Sequence, residues 1–449
     1  MAIKRVSGGR AIGTILALAA TFAAACACAP SGKGPAGTAA APDVDGAAVL
    51  ALAAELAGPD YSGRALGSPG GALAAELLAE RLRGAGYSVV FREFPERVPV
   101  NAGNAALETV APDGARRSFA WREDFREIAR GGYEGGRAEG PLFVVSDPEA
   151  PFPRGSILLV PGRLHDPEDD ASYAARGAAG LVGELVGTDP ARRPLWAGQA
   201  PGALVEPLAG FVKLGISAEA FDLLSASPPG TRALIESPLR FVDVTGRNVV
   251  ATRDGDGGGP APRLLICAHY DHVGTDPDGS YFPGALDNAS GAAMAVALGE
   301  ALALALPDAD LAILLTDGEE VNLSGASAFA RAPDFPIAGI SALNLDMLGS
   351  RADMELSVYS LGDSAGSKLA RSLVAALEAA GFRAAHEAPV LNLDHGPLSR
   401  AGAGAASITE YDTADYHTKR DLPSGLSDVE LDRLGDALAA WALAEIAGR

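Results

Sequence analysis

The sequence is poor in the residues that mark several protein classes. Its 449 residues include only 3 cysteines, 6 histidines, 3 tryptophans and 4 methionines. Two of the cysteines, Cys26 and Cys28, stand together near the N-terminus. Only Cys267 is left for a folded body, and one thiol cannot form an internal disulfide. Bases are also scarce, with 36 Lys and Arg against 57 Asp and Glu, a net charge of -21. A surface of that sign repels nucleic acid and anionic membrane, so neither is expected as a partner. No self-similarity at a period of about 20 to 50 residues is evident, which excludes solenoids and propellers.

What is present is ordinary globular material. Hydrophobic residues make up 48% and charged residues 21%, and 55 Gly with 31 Pro imply many turns. The length allows two domains or more. At the N-terminus Lys4, Arg5 and Arg10 precede the uncharged run "AIGTILALAATFAAA", which is too short to favour a spanning helix and reads as an export signal. The small residues before Cys26 and Cys28 resemble the lipobox of bacterial lipoproteins, although Ala23 stands where Leu or Val is usual. The expectation is a lipoprotein-type signal peptide over 1–28 and a flexible tether over 29–46. A lipid anchor to the membrane through Cys26 or Cys28 follows, with an exported location at the cell envelope, or secretion.

Beyond the tether, residues 47–87 carry helical spacing, in "AAVLALAAELAG" and "GGALAAELLAERLRGAGY". We assign 47–97 to the helical start of the main domain. Residues 98–242 change character: short apolar runs such as "GSILLVPG" alternate with Gly, Pro and Asp turns, predicting an inserted β-rich domain. Over 243–449 apolar strands alternate with helices, which predicts an α/β fold with a mostly parallel central sheet sandwiched by helices.

The apolar strands of that last region end in titratable residues. "LLICAH" ends in His269, with Asp271 beyond it; "LAILLTDGEE" supplies Asp317, Glu319 and Glu320; "NLD" supplies Asp346. Loops add Asp287 in "GALDNASG" and His417 in "YHTKRD". In open α/β sheets ligands bind at the carboxyl ends of the strands, where all of these residues would gather. Taken singly each is ordinary, a structural histidine, a solvated acid or a turn aspartate. Together, several carboxylates at one edge would repel, and a dication would remove that conflict. Histidine and carboxylate donors without cysteine suit Zn²⁺ in a catalytic site. Two histidines and three carboxylates, one of them bridging, would serve two ions about 3.5–4 Å apart.

The motifs "HYDHVG", "GALDNASG", "DGEEVNLSGASAFA", "NLDMLG", "DHGPL" and "YHTKRD" resemble, in order and spacing, those of the M28 family of zinc aminopeptidases. "YSGRALGSPGGALAAELLAERL" resembles the first helical region of bacterial members, and "GSILLVPG" with "YAARGAAGLVGEL" is similar to the protease-associated (PA) domain many of them carry. The resemblance implies two zinc ions per chain. His269 and Asp346 would hold one, Glu320 and His417 the other, and Asp287 would bridge them. It implies Glu319 as the general base that activates a water between the ions, and Asp271 as the carboxylate orienting His269. Tyr416 is either a stabiliser of the oxyanion or a packing residue. His272 is expected to shape the site without binding metal. His395 is expected either near the pocket or as plain structure, His386 and His165 at the surface, and Cys267 as a buried small hydrophobe. Leu398 stands where the family usually has an aromatic.

The activity implied is removal of N-terminal residues from peptides. The alternatives are a dipeptidase or carboxypeptidase, a one-zinc glutaminyl-cyclase-like enzyme on the same fold, and a non-catalytic peptide-binding protein. A serine hydrolase is a further rival, because "GDSAG" at 362–366 matches G-x-S-x-G. Ser364 would then be followed by Asp394 or Asp412 and by His395 or His417.

Overall fold

The sheets follow directly from how the strands pair in the computed structural model, which describes residues 42–128, 135–164, 166, 169–193, 211–255, 261–351, 354–362, 364–390, 392–411 and 414–448. The expected signal peptide, with Cys26 and Cys28, and the residues His165 and Asp412 lie outside these residues.

Two helices open the described chain. Helix α1 (Gly46–Leu56) starts where the Asp45 side chain accepts the N–H groups of Ala47 and Ala48. Helix α2 (Pro69–Gly84) starts at Ser68, whose side chain accepts from Gly71, with Pro69 in the first turn. Strand β1 (Ser88–Asn101) follows. A β-rich module comes next: β2 (Ala106–Val110), β3 (Arg116–Ser118), β4 (Phe125–Glu127), β5 (Gly136–Val144), β6 (Ile157–Val160), α3 (Asp170–Ala175), β7 (Gly180–Glu184), β8 (Val212–Ile216), α4 (Ala218–Ser225) and β9 (Arg232–Ser237). Its sheet runs β3-β2-β9-β5-β6-β7-β8-β4 and has apolar clusters of its own around Phe125, Ile157 and Leu214, and around Leu158 and Tyr173.

The chain returns through β10 (Leu239–Arg253), which pairs with β1 along its whole length from Ser88–Thr252 to Asn101–Leu239. The expected limits of the insert, 98 and 242, face each other across this ribbon as the pair Val98–Val242. Pro95 and Pro99 are tolerated in β1 because it is an edge strand.

The main sheet is completed by β11 (Leu264–His269), α5 (Gly291–Ala305), β12 (Leu311–Thr316), α6 (Ser324–Arg331), β13 (Ser341–Asp346), β14 (Leu356–Tyr359), α7 (Ser364–Ala379), β15 (Ala384–His386), α8 (His395–Arg400), β16 (Gly404–Thr409) and α9 (Asp428–Ala447). Its order is β1-β10-β12-β11-β13-β16-β14-β15. The four central strands, β12, β11, β13 and β16, are parallel, while antiparallel pairings join β10 on one side and β14 on the other. Both faces are covered, as the unbroken apolar runs require. Leu264, Ile266 and Ala268 of β11 enter the cluster shared with α1, α2, α5, α7 and α9. Leu265 and Cys267 enter the opposite cluster, which contains Phe329 of α6 and Leu398 of α8. Cys267 is a buried free thiol, as expected.

Candidate metal centre

The parallel strands run in one direction, so their C-terminal ends share one edge. His269 is the last residue of β11 and Asp346 the last of β13. Glu319 and Glu320 follow β12, Asp287 precedes α5, and His417 lies in the loop after β16.

These residues form two groups joined at Asp287. In the first, His269 Nε2 is 3.5 Å from both Asp287 Oδ1 and Asp346 Oδ1. In the second, His417 Nε2 is 2.9 Å from Asp287 Oδ2 and 3.2 Å from Glu320 Oε2. All are buried except the half-buried Glu319. His272, expected only to shape the site, sits inside the second group: its Nδ1 is 2.9 Å from Glu320 Oε1 and 3.7 Å from Asp287 Oδ2. The donor atoms within each group all lie within 4.8 Å of one another.

The electrostatics of this ring are those of charges in need of a counter-ion. Burial alone would lower the pKa of His417, but Glu320 and Asp287 outweigh it and hold it up at about 9. Burial would likewise lower His269, whereas Glu319, Asp271 and Asp346 raise it well above the usual imidazole range. Burial would raise Glu320, but His417 and His272 hold it well below the usual carboxylate range. Burial pushes Glu319 well up; His269 opposes this, and Glu320, Asp346 and Asp394 add to it. Asp287 Oδ2 and His417 Nε2 are buried without a hydrogen-bond partner although they face each other. Orphaned buried donors of imidazole and carboxylate type, with no thiolate among them, fit zinc.

Further side chains set the positions of these donors. The Asp271 carboxylate is within ion-pair range of His269 Nδ1 at 3.6 Å, while the hydrogen bond of that nitrogen, at 3.3 Å, is accepted by the Asp271 backbone carbonyl. The two carboxylate oxygens instead accept the N–H groups of Glu319 and Glu320, at 3.1 and 3.3 Å. Asp271 therefore holds the turn that carries both glutamates. Asp421 accepts the N–H groups of Leu286 and Asp287 at 2.8 and 3.0 Å. Asn288 Oδ1 accepts from Gly291 and Met347, both at 3.0 Å, and so ties the Asp287 loop to the one after Asp346. A Cβ on Gly291 would meet Asn288 Oδ1 at 2.2 Å, so only glycine fits there.

Arg64 makes the most extensive set of such contacts. It is fully buried, and its guanidinium donates to the carbonyls of Tyr270, Leu56, Pro283 and Gly284 at 2.7–2.8 Å. It thus links the loop after His269 to the loop before Asp287. Burial lowers its pKa to about 10, with Asp421, Asp287, Asp271 and Glu320 opposing, so it stays charged at neutral pH. Arg64 was not among the residues expected at the site. Its stretch "YSGRALGSPG" reads as a turn, and nothing local signals partners more than 200 residues away.

The β-rich module reaches the same region. The Arg193 N–H donates to the His417 carbonyl at 3.0 Å, Arg420 pairs with Asp189 at 2.8 Å, and Arg122 bridges Glu127 and Asp276 at 2.6 and 3.0 Å. Tyr416 stacks on the His417 ring with centroids 3.6 Å apart. His395 is buried with its Nδ1 2.7 Å from Ser407 Oγ, and His386 is exposed, its Nε2 3.0 Å from Ser360 Oγ.

Fold and donor ring together define the class: an open α/β sheet with an imidazole–carboxylate centre at its strand ends. Residues 248–442 match the model of Peptidase family M28. An aminopeptidase of Pseudomonas aeruginosa (strain UCBPP-PA14) is 25% identical over 317 residues, 66% of this chain and 56% of that protein. Aminopeptidase YwaD of Bacillus subtilis (strain 168) is 25% identical over 242 residues, 51% of this chain and 50% of that one. The chain thus spans little more than half the length of these relatives. Two solved structures share the fold. An aminopeptidase from Aneurinibacillus sp. strain AM-1 has a TM-score of 0.66 at 21% identity, covering 89% of this chain and 93% of that one. BSAP, a zinc aminopeptidase from Bacillus subtilis, has a TM-score of 0.65 at 20% identity, covering 90% and 95%.

Proposed function

We propose that this protein is a zinc-dependent aminopeptidase that uses two ions. The observation that carries the reading is the meeting of two donor groups at one shared carboxylate, Asp287, with Glu319 on the adjoining turn. His269 and Asp346 would hold one ion, Glu320 and His417 the other, with Asp287 between them. The aminopeptidase relatives support the same reaction class.

Bound there, zinc would supply Lewis-acid polarisation of the scissile carbonyl and acidify the attacking water. Glu319 takes the proton from that water as its oxygen bonds to the carbonyl carbon. When the C–N bond breaks, Glu319 delivers the same proton to the departing amine nitrogen, so the step balances without a co-reactant. Burial suits Glu319 to this, because a carboxylate whose pKa is pushed upward is a stronger proton acceptor. Asp271 fixes the turn from which Glu319 works. The β-rich module, read as PA-like, would limit access through its contacts with the His417 loop.

Two rivals have less support. A serine mechanism would need a free histidine base, yet the His395 ring pairs with Ser407 and the His417 ring faces Asp287 and Glu320. A one-zinc cyclase would leave one of the two donor groups idle. The test is a panel of aminoacyl-nitroanilides against N-blocked and C-blocked peptides, with and without chelator. Cleavage of free-N-terminal substrates that stops on zinc removal and returns on zinc addition is expected. Cleavage of N-blocked peptides alone would overturn the aminopeptidase reading, and full activity after zinc removal would overturn the metal.

A further inference from the structure

We infer that His272 is a fourth protein donor to the ion held by Glu320, His417 and Asp287, which makes the two ion positions unequal and sets the order in which they fill. This rests on the two-ion reading above.

Two donors about 2.0–2.1 Å from one tetrahedral ion lie about 3.3 Å from each other. The nitrogen–oxygen distances in the second group, taken to one or other oxygen of each carboxylate, bracket that value. His417 Nε2 is 2.9 Å from Asp287 Oδ2 and 3.2 Å from Glu320 Oε2; His272 Nδ1 is 2.9 Å from Glu320 Oε1 and 3.7 Å from Asp287 Oδ2. The His272 ring meets the His417 ring edge-on, with centroids 5.3 Å apart and planes at 82°. The side chain is fully buried, its Nε2 has no hydrogen-bond partner, and its Nδ1 is turned to Glu320 Oε1. Its place is prepared by Gly284, which has φ +58 and where a Cβ would stand 2.5 Å from the His272 ring carbons. The His272 N–H also reaches the Arg64 carbonyl at 3.4 Å, fixing the backbone from which the ring projects.

The two groups then differ in kind. His272, His417, Glu320 and Asp287 offer two nitrogens and two oxygens, a complete tetrahedral set whose two carboxylates neutralise a dication. His269, Asp346 and Asp287 offer one nitrogen and two oxygens, which leaves a position open for water or substrate. The His272 group is the anchor that fills first, and the His269 group is the exchangeable position.

The experiment uses the full chain and zinc alone. X-ray absorption on wild-type protein loaded with one equivalent of zinc should count two imidazoles per ion; one imidazole would overturn the proposal without any variant. Stepwise constants from a competing chelator should separate, and His272→Ala should weaken the tighter by at least about 100-fold, above the 10–100-fold typical of a residue that only supports a ligand. His272→Asn keeps a polar partner for Glu320 but supplies no imidazole, so it should weaken zinc equally. An Asn variant with wild-type constants would overturn the ligand role. Two zinc ions binding with constants that His272 variants leave unchanged would sink this inference alone. A wild-type chain that binds no zinc at Glu320 and His417 would sink the two-ion reading with it.

Discussion

Replacing Arg64 with Met removes a clamp that no short stretch of sequence announces. The guanidinium donates four hydrogen bonds to carbonyls of three separate segments, at 2.7–2.8 Å, with no exposure to solvent. Charge-assisted bonds contribute about 1.5–3 kcal/mol each, so their sum has a ceiling of roughly 6–12 kcal/mol. Against this stands the desolvation of a buried cation, several kcal/mol, which Met relieves while conserving most of the volume. The net loss should be about 3–5 kcal/mol, because the orphaned carbonyls of Tyr270, Pro283 and Gly284 remain buried and four carboxylates lose a countercharge. At a urea slope of about 3 kcal/mol/M, the midpoint should fall by about 1–1.7 M with the slope unchanged. Arg64→Lys keeps the charge but cannot span acceptors on three segments, and should lose about half as much. Zinc affinity should drop in both variants, since Tyr270 and Gly284 flank His269 and Asp287. A midpoint for Arg64→Met within about 0.3 M of wild type would refute the clamp.

Two further outcomes are expected. Glu319→Gln keeps the shape of the side chain but cannot take a proton, so turnover should fall by about 10²- to 10⁴-fold or more while zinc per chain is unchanged; zinc lost along with activity would show that Glu319 is a ligand instead of the base. In the module, burial would raise Glu127, but Arg122, Asn101 and Trp121 outweigh it and hold its pKa below the usual value. A depressed folded pKa contributes stability above the unfolded pKa and loses it as pH falls through the folded one. The urea midpoint should therefore drop as pH falls below the ordinary carboxylate range of about 4.3 and on through the lower folded pKa, and less so in Glu127→Gln. Identical pH slopes for the two proteins would refute the role of that carboxylate.

Part of the candidate site was legible because four of its residues stand at or just beyond the ends of apolar strands. His269 and Asp346 close apolar runs that can only be buried strands, and Glu319 and Glu320 follow another. Parallel strands deliver such residues to one edge whatever the details of packing. The backbone position of His272, three residues after His269, says nothing of where its ring turns. Its ring turns toward Glu320, 48 residues away. Asp271 was placed correctly beside His269, but its carboxylate is committed to two amides beyond the next strand. The ribbon of β1 and β10 is cut by the expected limits of the insert at 98 and 242, since "SVVFREFPERVPVN" mixes charges and prolines that only an edge strand tolerates.

The sequence by itself determined the two-sided α/β sheet and the donor types at its edge, since hydrophobic periodicity and residue chemistry are local properties. Only the tertiary structure decided how those donors are held. Arg64, Asn322, Leu323, Met347 and His417 all take positive φ beside the ligands, a conformation that costs a non-glycine residue about 1–3 kcal/mol and persists only where surrounding contacts over-determine it. At Met347 the N–H is held by Asn288 Oδ1, at His417 the carbonyl is held by the Arg193 N–H, and Arg64 is held through its own guanidinium, each contact reaching a segment far away in the chain. Pairings at that separation depend on the packed whole, and so no local stretch of sequence encodes them.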